Sequence, residues 1–348
     1  MIMKKDIKNL GFQELKDSLL IMGFPSHSAG QIFNWVYKRR IEDFNLMTNI
    51  SKEARQHLSK EFFCSRVRQL KKEVSCDGTA KFLFGLFDGH NIETVLIPEG
   101  RRNTLCVSTQ VGCKFNCSFC YSGQFGFKRD LNIAEIVNQY LSVSDLIAPA
   151  KITNVVFMGI GEPLDNFSNT IGSIKVFSHR QGISLGKRKI CISTCGLSPK
   201  IKELSILNLG VRLSVSLHAT DDNIRSRIMP VNKKYPIASL MSAVRQFLKN
   251  DLGPVTFEYI LLHRINTSNE MAEKLEKWLR GINYKINIIP CNMAKSIYKP
   301  PREDEVNCFL RELKTRNIFF TVRKPRGQDI NAACGQLKAR QINSCIKK

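Results

Sequence analysis

Apolar residues recur along the chain with two different periods, and the change of period divides it. Between residues 9 and about 62 the period is helical. Phe12, Leu15, Leu19 and Leu20 stand at i, i+3, i+7 and i+8, and Ile32, Val36 and Tyr37 form a second stripe before the basic run Lys38-Arg39-Arg40. This pattern predicts a small helical module with a solvated basic face, a candidate RNA contact. The stretch AKFLFGLFDGHNIETVLIP, residues 80–98, then carries two β-rich runs split by Asp88-Gly89, a strong hairpin signal.

From residue 104 the two periods alternate. Strand-like runs lie at 105–109, 153–159, 189–194, 212–218, 256–262 and 285–290, with a seventh at 319–324. Helical periodicity fills about 131–147, 167–179, 198–207, 236–250, 268–281 and 303–316. Alternation of this kind predicts an α/β fold with a parallel sheet and crossover helices. Six repeats are too few to close an eight-fold barrel, so the expectation is an open, partial (βα)6 barrel. The expected organisation is a helical accessory domain over 1–75 and a hairpin linker over 76–103. The barrel follows over 104–318, and 319–348 holds the last strand, a cysteine loop and a basic tail.

The loops after these strands carry the chemistry: a cysteine loop, then GIGEP, STCG, HAT, HRIN and PCN. In barrel-like folds the loops at the C-terminal ends of the strands build the active site, so these six converge on one mouth. Composition changes the picture in two ways. The formal net charge is +23 in 348 residues, which asks for a polyanionic partner, with nucleic acid leading. No apolar run is long enough to span a bilayer and the start lacks a secretory leader, so a cytoplasmic location is expected. Twelve cysteines in a cytosolic chain then point to metal binding or thiol chemistry rather than a disulfide framework.

Cys113, Cys117 and Cys120 lie in CKFNCSFCYSG with spacing C-x3-C-x2-C. Three thiolates can hold three irons of a [4Fe–4S] cluster and leave the fourth open to a ligand. A zinc site completed by a distant Cys or His has a compatible spacing. The position after the first barrel strand, ahead of a Gly-Glu loop, favours the cluster. A structural zinc knuckle on a non-catalytic RNA-binding protein is the competing reading from another class.

The motif, with Phe119 before its third cysteine, resembles the signature of radical S-adenosylmethionine (SAM) enzymes, and GIGEP resembles their Gly-Glu segment. LCVSTQVGCKFNCSFCYSGQFGFKRDL, NVVFMGIGEPLDN, SVSLHA, IMPVNKKYP and VRKPRGQDINAACGQL together resemble the RlmN-type RNA adenine C2-methyltransferases, over about Glu93 to Leu337. The related C8-methylating (Cfr-like) type shares the cluster motif and AACGQL. IPEGRRNTLC, GEPL and RKPRG resemble the C2 branch.

The resemblance implies a [4Fe–4S] cluster on Cys113, Cys117 and Cys120 and two SAM molecules per turnover. It implies SAM contacts at Gly161, Glu162, Ser193, Ser216, Leu217, His218 and Asn292. Cys334 would take a methyl group from one SAM, and a deoxyadenosyl radical from the second would activate it for addition to C2. Cys106 would then release the product as a disulfide forms with Cys334, and Glu93 would accept the proton. Without the resemblance Glu93 reads as a strand-edge carboxylate on solvent. The implied partners are 23S rRNA at the peptidyl transferase centre, tRNA beside the anticodon, and an electron donor such as flavodoxin or ferredoxin, acting on a monomer.

Charge adds an RNA track. Residues 311–348 hold ten Lys and Arg against two Asp and Glu, next to Cys334, and GFKRD and GKRK extend it. Cys64, Cys76, Cys191, Cys195, Cys291, Cys308 and Cys345 are expected to be spectators, Cys191 in the core. Tyr121, Asn331 and Cys195 depart from the family pattern without removing a catalytic group.

Overall fold

The structure is a computed structural model and describes residues 4–124, 126–250, 253–291, 298–333 and 335–337. Three helices open the chain: α1 (Phe12–Ile21), α2 (Ser28–Phe33) and α3 (Lys52–Glu61). On α1 the predicted stripe buries Leu15 and Leu19, with Phe12 packed beside them. Leu20 is instead 53% exposed, because position i+8 lies about 80° round the helix from Phe12. Beyond α2 the chain continues as a π-helical turn, Asn34–Lys38, which buries Val36 and Tyr37. A buried lysine ties this module to the rest of the molecule: Lys8 Nζ donates to Ser65 O at 2.6 Å and to Asn138 Oδ1 at 2.7 Å.

Four antiparallel strands follow: β1 (Arg68–Val74), β2 (Ala80–Gly85), β3 (Asn91–Glu99) and β4 (Arg102–Cys106). The predicted hairpin is β2–β3. β1 falls in the segment expected to be helical. Its sequence RQLKKEV is largely exposed and rich in charge, as suits an edge strand that must resist pairing with another chain.

The parallel run begins at β4 and continues through β5 (Asn154–Phe157), β6 (Ile190–Thr194), β7 (Arg212–Ser216), β8 (Val255–Leu261), β9 (Tyr284–Pro290) and β10 (Phe320–Val322). Each strand pairs with its sequence neighbours, so the ten-stranded sheet has the linear order β10 to β1. Its parallel part is open, because β4 and β10 are not neighbours, as a partial barrel requires. The crossovers are α4 (Ile133–Leu146), α5 (Phe167–Ser178), α6 (Ser198–Leu207), α7 (Asp222–Ile228) with α8 (Ile237–Leu248), α9 (Asn269–Leu279) and α10 (Glu303–Thr315). All but α7 lie within two residues of the predicted bounds.

Local chemistry sets these ends. Asn132 accepts from Glu135 N and the Glu135 side chain accepts from Asn132 N, a capping box that starts α4. Ser268 accepts from Met271 N and Asp221 from Asn223 N and Ile224 N, simple N-caps that start α9 and α7. The strands sort their faces by the period of two. On β6, Ile190 and Ile192 are buried under the helices, while Cys191 and Ser193 share the lumen face. Cys191 is therefore a lumen residue rather than the core residue expected. Among the described residues, no helix is long and apolar enough to cross a membrane.

Candidate active site at the open end of the barrel

The loop after β4 is held by a web of backbone partners. Ser108 Oγ donates to Glu93 O at 2.6 Å and accepts from Ile160 N, and Gln139 bridges Ser108 N and Ser108 O. The cysteine loop then packs under the chain that returns from it. A Cβ on Gly112 (φ +77°) would sit 1.7 Å from Gly126 O, so only glycine permits this approach. Inside the loop, Ser118 N and Oγ both donate to Ile228 O at the end of α7, at 3.0 and 3.1 Å. Immediately after Cys120, Tyr121 N donates to Gly335 O and Ser122 Oγ to Leu337 O. These bonds dock the segment flanking Cys334 against the cysteine loop.

A cavity of about 180 Å³ opens at the strand ends. Cys113, Cys117 and Cys120 line one side, with Phe115 and Phe119. Gly161, Glu162, Ser193, Ser216 and His218 line it from β5, β6 and β7, so most of the predicted contacts share one space. Leu217 does not line it. That side chain is fully buried, and its amide donates to Glu258 O behind the wall. Asn292 and Cys334 lie outside the described residues, as do Cys345 and the basic tail beyond Leu337.

Each polar wall residue is fixed. Gly161 has φ +103° and lies so close to Gln110 that a Cβ would meet it at 2.5 Å. Gln110 Oε1 accepts from Glu162 N at 2.9 Å. The buried Glu162 carboxylate accepts from Leu164 N on one oxygen and Cys195 N on the other, at 3.0 and 2.7 Å. Burial pushes its pKa up against those bonds. The Thr194 and Cys195 side chains add hydrogen bonds to the same carboxylate.

His218 sits at φ +58° with Nδ1 accepting from Ile260 N at 3.1 Å. The proton is therefore on Nε2. Burial, with Arg225 nearby, lowers its pKa to about 3, so it stays a neutral donor. Phe119 meets the imidazole edge to face at 4.8 Å, which explains why an aromatic residue precedes Cys120 here.

The three thiols test whether a cluster fits. Burial raises the pKa of Cys113 to about 12 and that of Cys117 well above the ordinary thiol value, and neighbouring cysteines add to both. Such a set ionises only against a strong positive centre, and soft thiolates suit iron–sulfur ligation. Among the described residues, no three His, Cys, Asp or Glu groups converge on a point that would hold a single ion. Three thiols lining one cavity fit a cluster, in which each would bind a different iron.

Cys106, at the end of β4, is buried in a small apolar cluster with Val95, Ile160, Ala332 and Leu337. Two of these partners flank Cys334. No disulfide joins any two of the described cysteines, so a standing Cys106 disulfide gains no support. Glu93 is a correction to the solvent-edge reading: it is buried on β3, 3.6 Å from Lys81 Nζ. Lys81 also donates to Ile330 O at 2.5 Å, so the pair adjoins the Cys334 loop.

Sequence reasoning missed two residues. Glu258 lines the cavity from β8; Ser214 Oγ and Asn287 Nδ2 hold Oε1, and Oε2 is buried with no partner among the described residues. Its signal was a lone charge inside the apolar run TFEYILL. Arg225 on α7 is fully buried behind the cavity and donates to Leu217 O, Asn232 Oδ1, Cys195 O and Ser216 O at 2.8–2.9 Å. Cys195 lines the main cavity and Cys291 a smaller neighbouring one of about 60 Å³, between Ile289, Arg326 and Ala333.

Comparison with known proteins agrees with this geometry. Residues 107–276 match the model of the Radical SAM superfamily, and residues 5–64 that of the Ribosomal RNA large subunit methyltransferase N-terminal domain. A curated relative from Spiroplasma citri, a probable dual-specificity RNA methyltransferase RlmN, is 43% identical, covering 94% of this chain and 95% of its own. A protein of the same description from Bacillus thuringiensis (strain Al Hakam) is 39% identical over 97% of this chain and 94% of its own. The crystal structure of a radical SAM methyltransferase from Sphaerobacter thermophilus superposes with a TM-score of 0.89 at 38% identity. It covers 97% of this chain and all of the other.

Proposed function

Because the chain belongs to the radical SAM superfamily and, within it, to the RlmN family of RNA methyltransferases, we propose that it methylates carbon 2 of adenine in RNA. The proposed substrates are 23S rRNA at the peptidyl transferase centre and tRNA beside the anticodon. The observation that carries the reading is the docking of the segment flanking Cys334 against both reactive regions. Ala332 and Leu337 pack on Cys106, while Gly335 lines the cavity of the three cysteines.

The family's cofactors are a [4Fe–4S] cluster and SAM, which when bound supply a methyl donor and a hydrogen-abstracting radical. The chain's own part is to hold and to time. Cys113, Cys117 and Cys120 ligate the cluster. Gly161 and Glu162 grip the SAM amino group, with Ser193, Ser216 and His218 along the wall, Leu217 through its backbone, and Asn292 beyond. The neutral His218 gives one Nε2–H donor whose state does not change across the physiological range. Cys334 carries the one-carbon unit as a thioether. Cys106 attacks the Cys334 sulfur, forms a transient disulfide and releases the methylated base. Glu93, its charge held by Lys81, accepts the proton from C2. Two SAM molecules are consumed per turnover. A flavodoxin or ferredoxin supplies electrons to a monomer, and the domain division at 75, 103 and 318 stands as part of this reading.

The test is nucleoside analysis of 23S rRNA and tRNA from a strain lacking the gene and from its complement. Loss and return of 2-methyladenosine is the expected result; 8-methyladenosine would assign the chain to the C8 type. A Cys106→Ala protein should accumulate covalently bound to RNA, and the Cys106→Ala/Cys334→Ala protein should not. Recovery of both variants RNA-free would refute the assigned pair.

A further inference from the structure

The cavity explains the reaction but leaves a feature of its rim unused. β3 runs antiparallel to β4 and pairs Val95 with Cys106, so the strand start at Asn91 stands four residues, about 13 Å, beyond Cys106 towards the mouth. The turn joining β2 to β3 therefore projects past the open end of the barrel. At its tip is Phe87, a fully exposed aromatic ring.

This tip is braced. Asp88 accepts from Arg129 Nε at 2.6 Å, and Arg129 is gripped in turn by both oxygens of Glu135 at 2.8 and 2.9 Å. Arg129 holds the Asp88 carboxyl far below its ordinary range. The turn closes through Leu86 N to His90 O and Gly89 N to Leu86 O. A second exposed ring, Phe127, lies two residues before Arg129, on the segment packed against Gly112 beside the cysteine loop. Lys114 Nζ, which also pairs with Asp165 Oδ1 at 2.6 Å, stands 5.6 Å from its centroid and 5.8 Å from that of the cavity residue Phe115. Lys128 beside it is exposed and pairs with no carboxylate among the described residues.

We propose that Phe87 and Phe127 form a braced stacking wall at the mouth that takes an unpaired base of an RNA loop, while Lys114 and Lys128 face its phosphates. The inference rests on the RNA methyltransferase reading and adds where the loop is held. Three observations favour RNA over a protein partner. The rings are interleaved with lysines rather than with further apolar groups. They stand at the mouth where a target nucleotide must arrive unpaired. The whole chain carries +23. A basic track with aromatic platforms is how unpaired nucleotides are bound without sequence-specific contacts.

The experiment is equilibrium binding of the full, cluster-loaded protein to two RNAs: a stem–loop with adenosine in the loop, and a duplex of equal length without one. Phe87→Ala and Phe127→Ala should each weaken stem–loop binding about 5- to 100-fold, the range for losing one stacked base. Duplex binding should be unchanged, and so should the salt dependence, since no phosphate contact is lost. Phe87→Trp should restore the affinity. Phe87 packs on nothing, so its variants keep the fold, which iron content and SAM binding will check. Unchanged stem–loop affinity in both alanine variants, or an equal loss for both RNAs, would overturn the proposal while leaving the methyltransferase reading intact. Wild-type protein that binds neither RNA would sink both.

Discussion

Replacing Arg225 by methionine isolates the device that holds the site together. Its guanidinium joins the ends of β6 and β7 to α7, through Cys195 O, Ser216 O, Leu217 O and Asn232 Oδ1. None of these acceptors is a carboxylate, so every direct bond to the charge comes from a carbonyl, with Asp222 acting on it only from a distance. Methionine fills much of the volume and removes every donor. Leu217 O keeps a bond from Ala219 N, but Cys195 O and Asn232 Oδ1 lose the partners described here. Two orphaned buried acceptors cost about 1–3 kcal/mol each. Releasing a guanidinium from a desolvated position offsets part of that, so the expected loss is about 2–4 kcal/mol. That is a large fraction of the 5–15 kcal/mol expected of a folded domain.

Urea unfolding of the reduced apoprotein would measure it. Trp278 is a built-in reporter, because its Nε1 donates to Thr220 O just ahead of α7. The midpoint should fall with the slope unchanged. Asn232→Leu alone strands one guanidinium N–H and should also destabilise. The double variant Arg225→Met/Asn232→Leu should lose clearly less than the sum, because neither partner is then left alone. A loss below about 1 kcal/mol for Arg225→Met, or strict additivity in the double variant, would refute the reasoning.

Three further outcomes are expected. Cys117→Ser should purify anaerobically with a marked loss of iron and of the brown colour; full iron retention would contradict its place in the ligand set. Glu258→Gln should weaken SAM binding about 10- to 100-fold in equilibrium dialysis, the range for one hydrogen bond to a charged acceptor, since it replaces the unpartnered buried oxygen of a residue that lines the cavity. An unchanged affinity would mean that Oε2 meets no ligand. Partial burial pushes the Glu305 carboxyl up, but bonds from Thr267, Arg264 N and His263 outweigh it and bring the pKa to about 2. A carboxyl depressed in the folded state stabilises fully above its unfolded pKa of about 4.3, and that contribution is lost as pH falls towards 2. Glu305→Gln should accordingly flatten the acid limb of a melting-temperature profile between pH 5 and 2, an effect absent if the bonds are dispensable.

What could be read from the chain beforehand followed from periodicity. Strands such as ICIST and NVVF announce themselves because one face must be apolar under helices, and α8 and α9 because their stripes are long. β1 and α7 did not, for the same physical reason: both are rich in charge, and a charged run reads as solvated surface. β1 is such a surface, an edge kept polar against aggregation. α7 is the opposite case. DDNIRSR buries its arginine because the carbonyls at the ends of β6 and β7 converge there, and no local pattern encodes that convergence.

The same limit separates the site residues that were legible from those that were not. Cys113, Cys117, Cys120 and Glu162 stand in local motifs, so the sequence and its family resemblance could single them out as candidates. Glu93 and Glu258 depend on what faces them across strands: Lys81 from β2 for one, Ser214 and Asn287 from β7 and β9 for the other. A carboxylate on a strand can face solvent, a partner or a ligand, and only the register decides among these. Glu258 is the sharper case, since its two flanking strands satisfy one oxygen and leave the other buried without a partner among the described residues. An apolar residue there would serve the core better, because a half-satisfied buried carboxylate costs stability. Its presence is therefore best explained by an occupant that donates to it, and the glutamine variant asks whether SAM is that occupant.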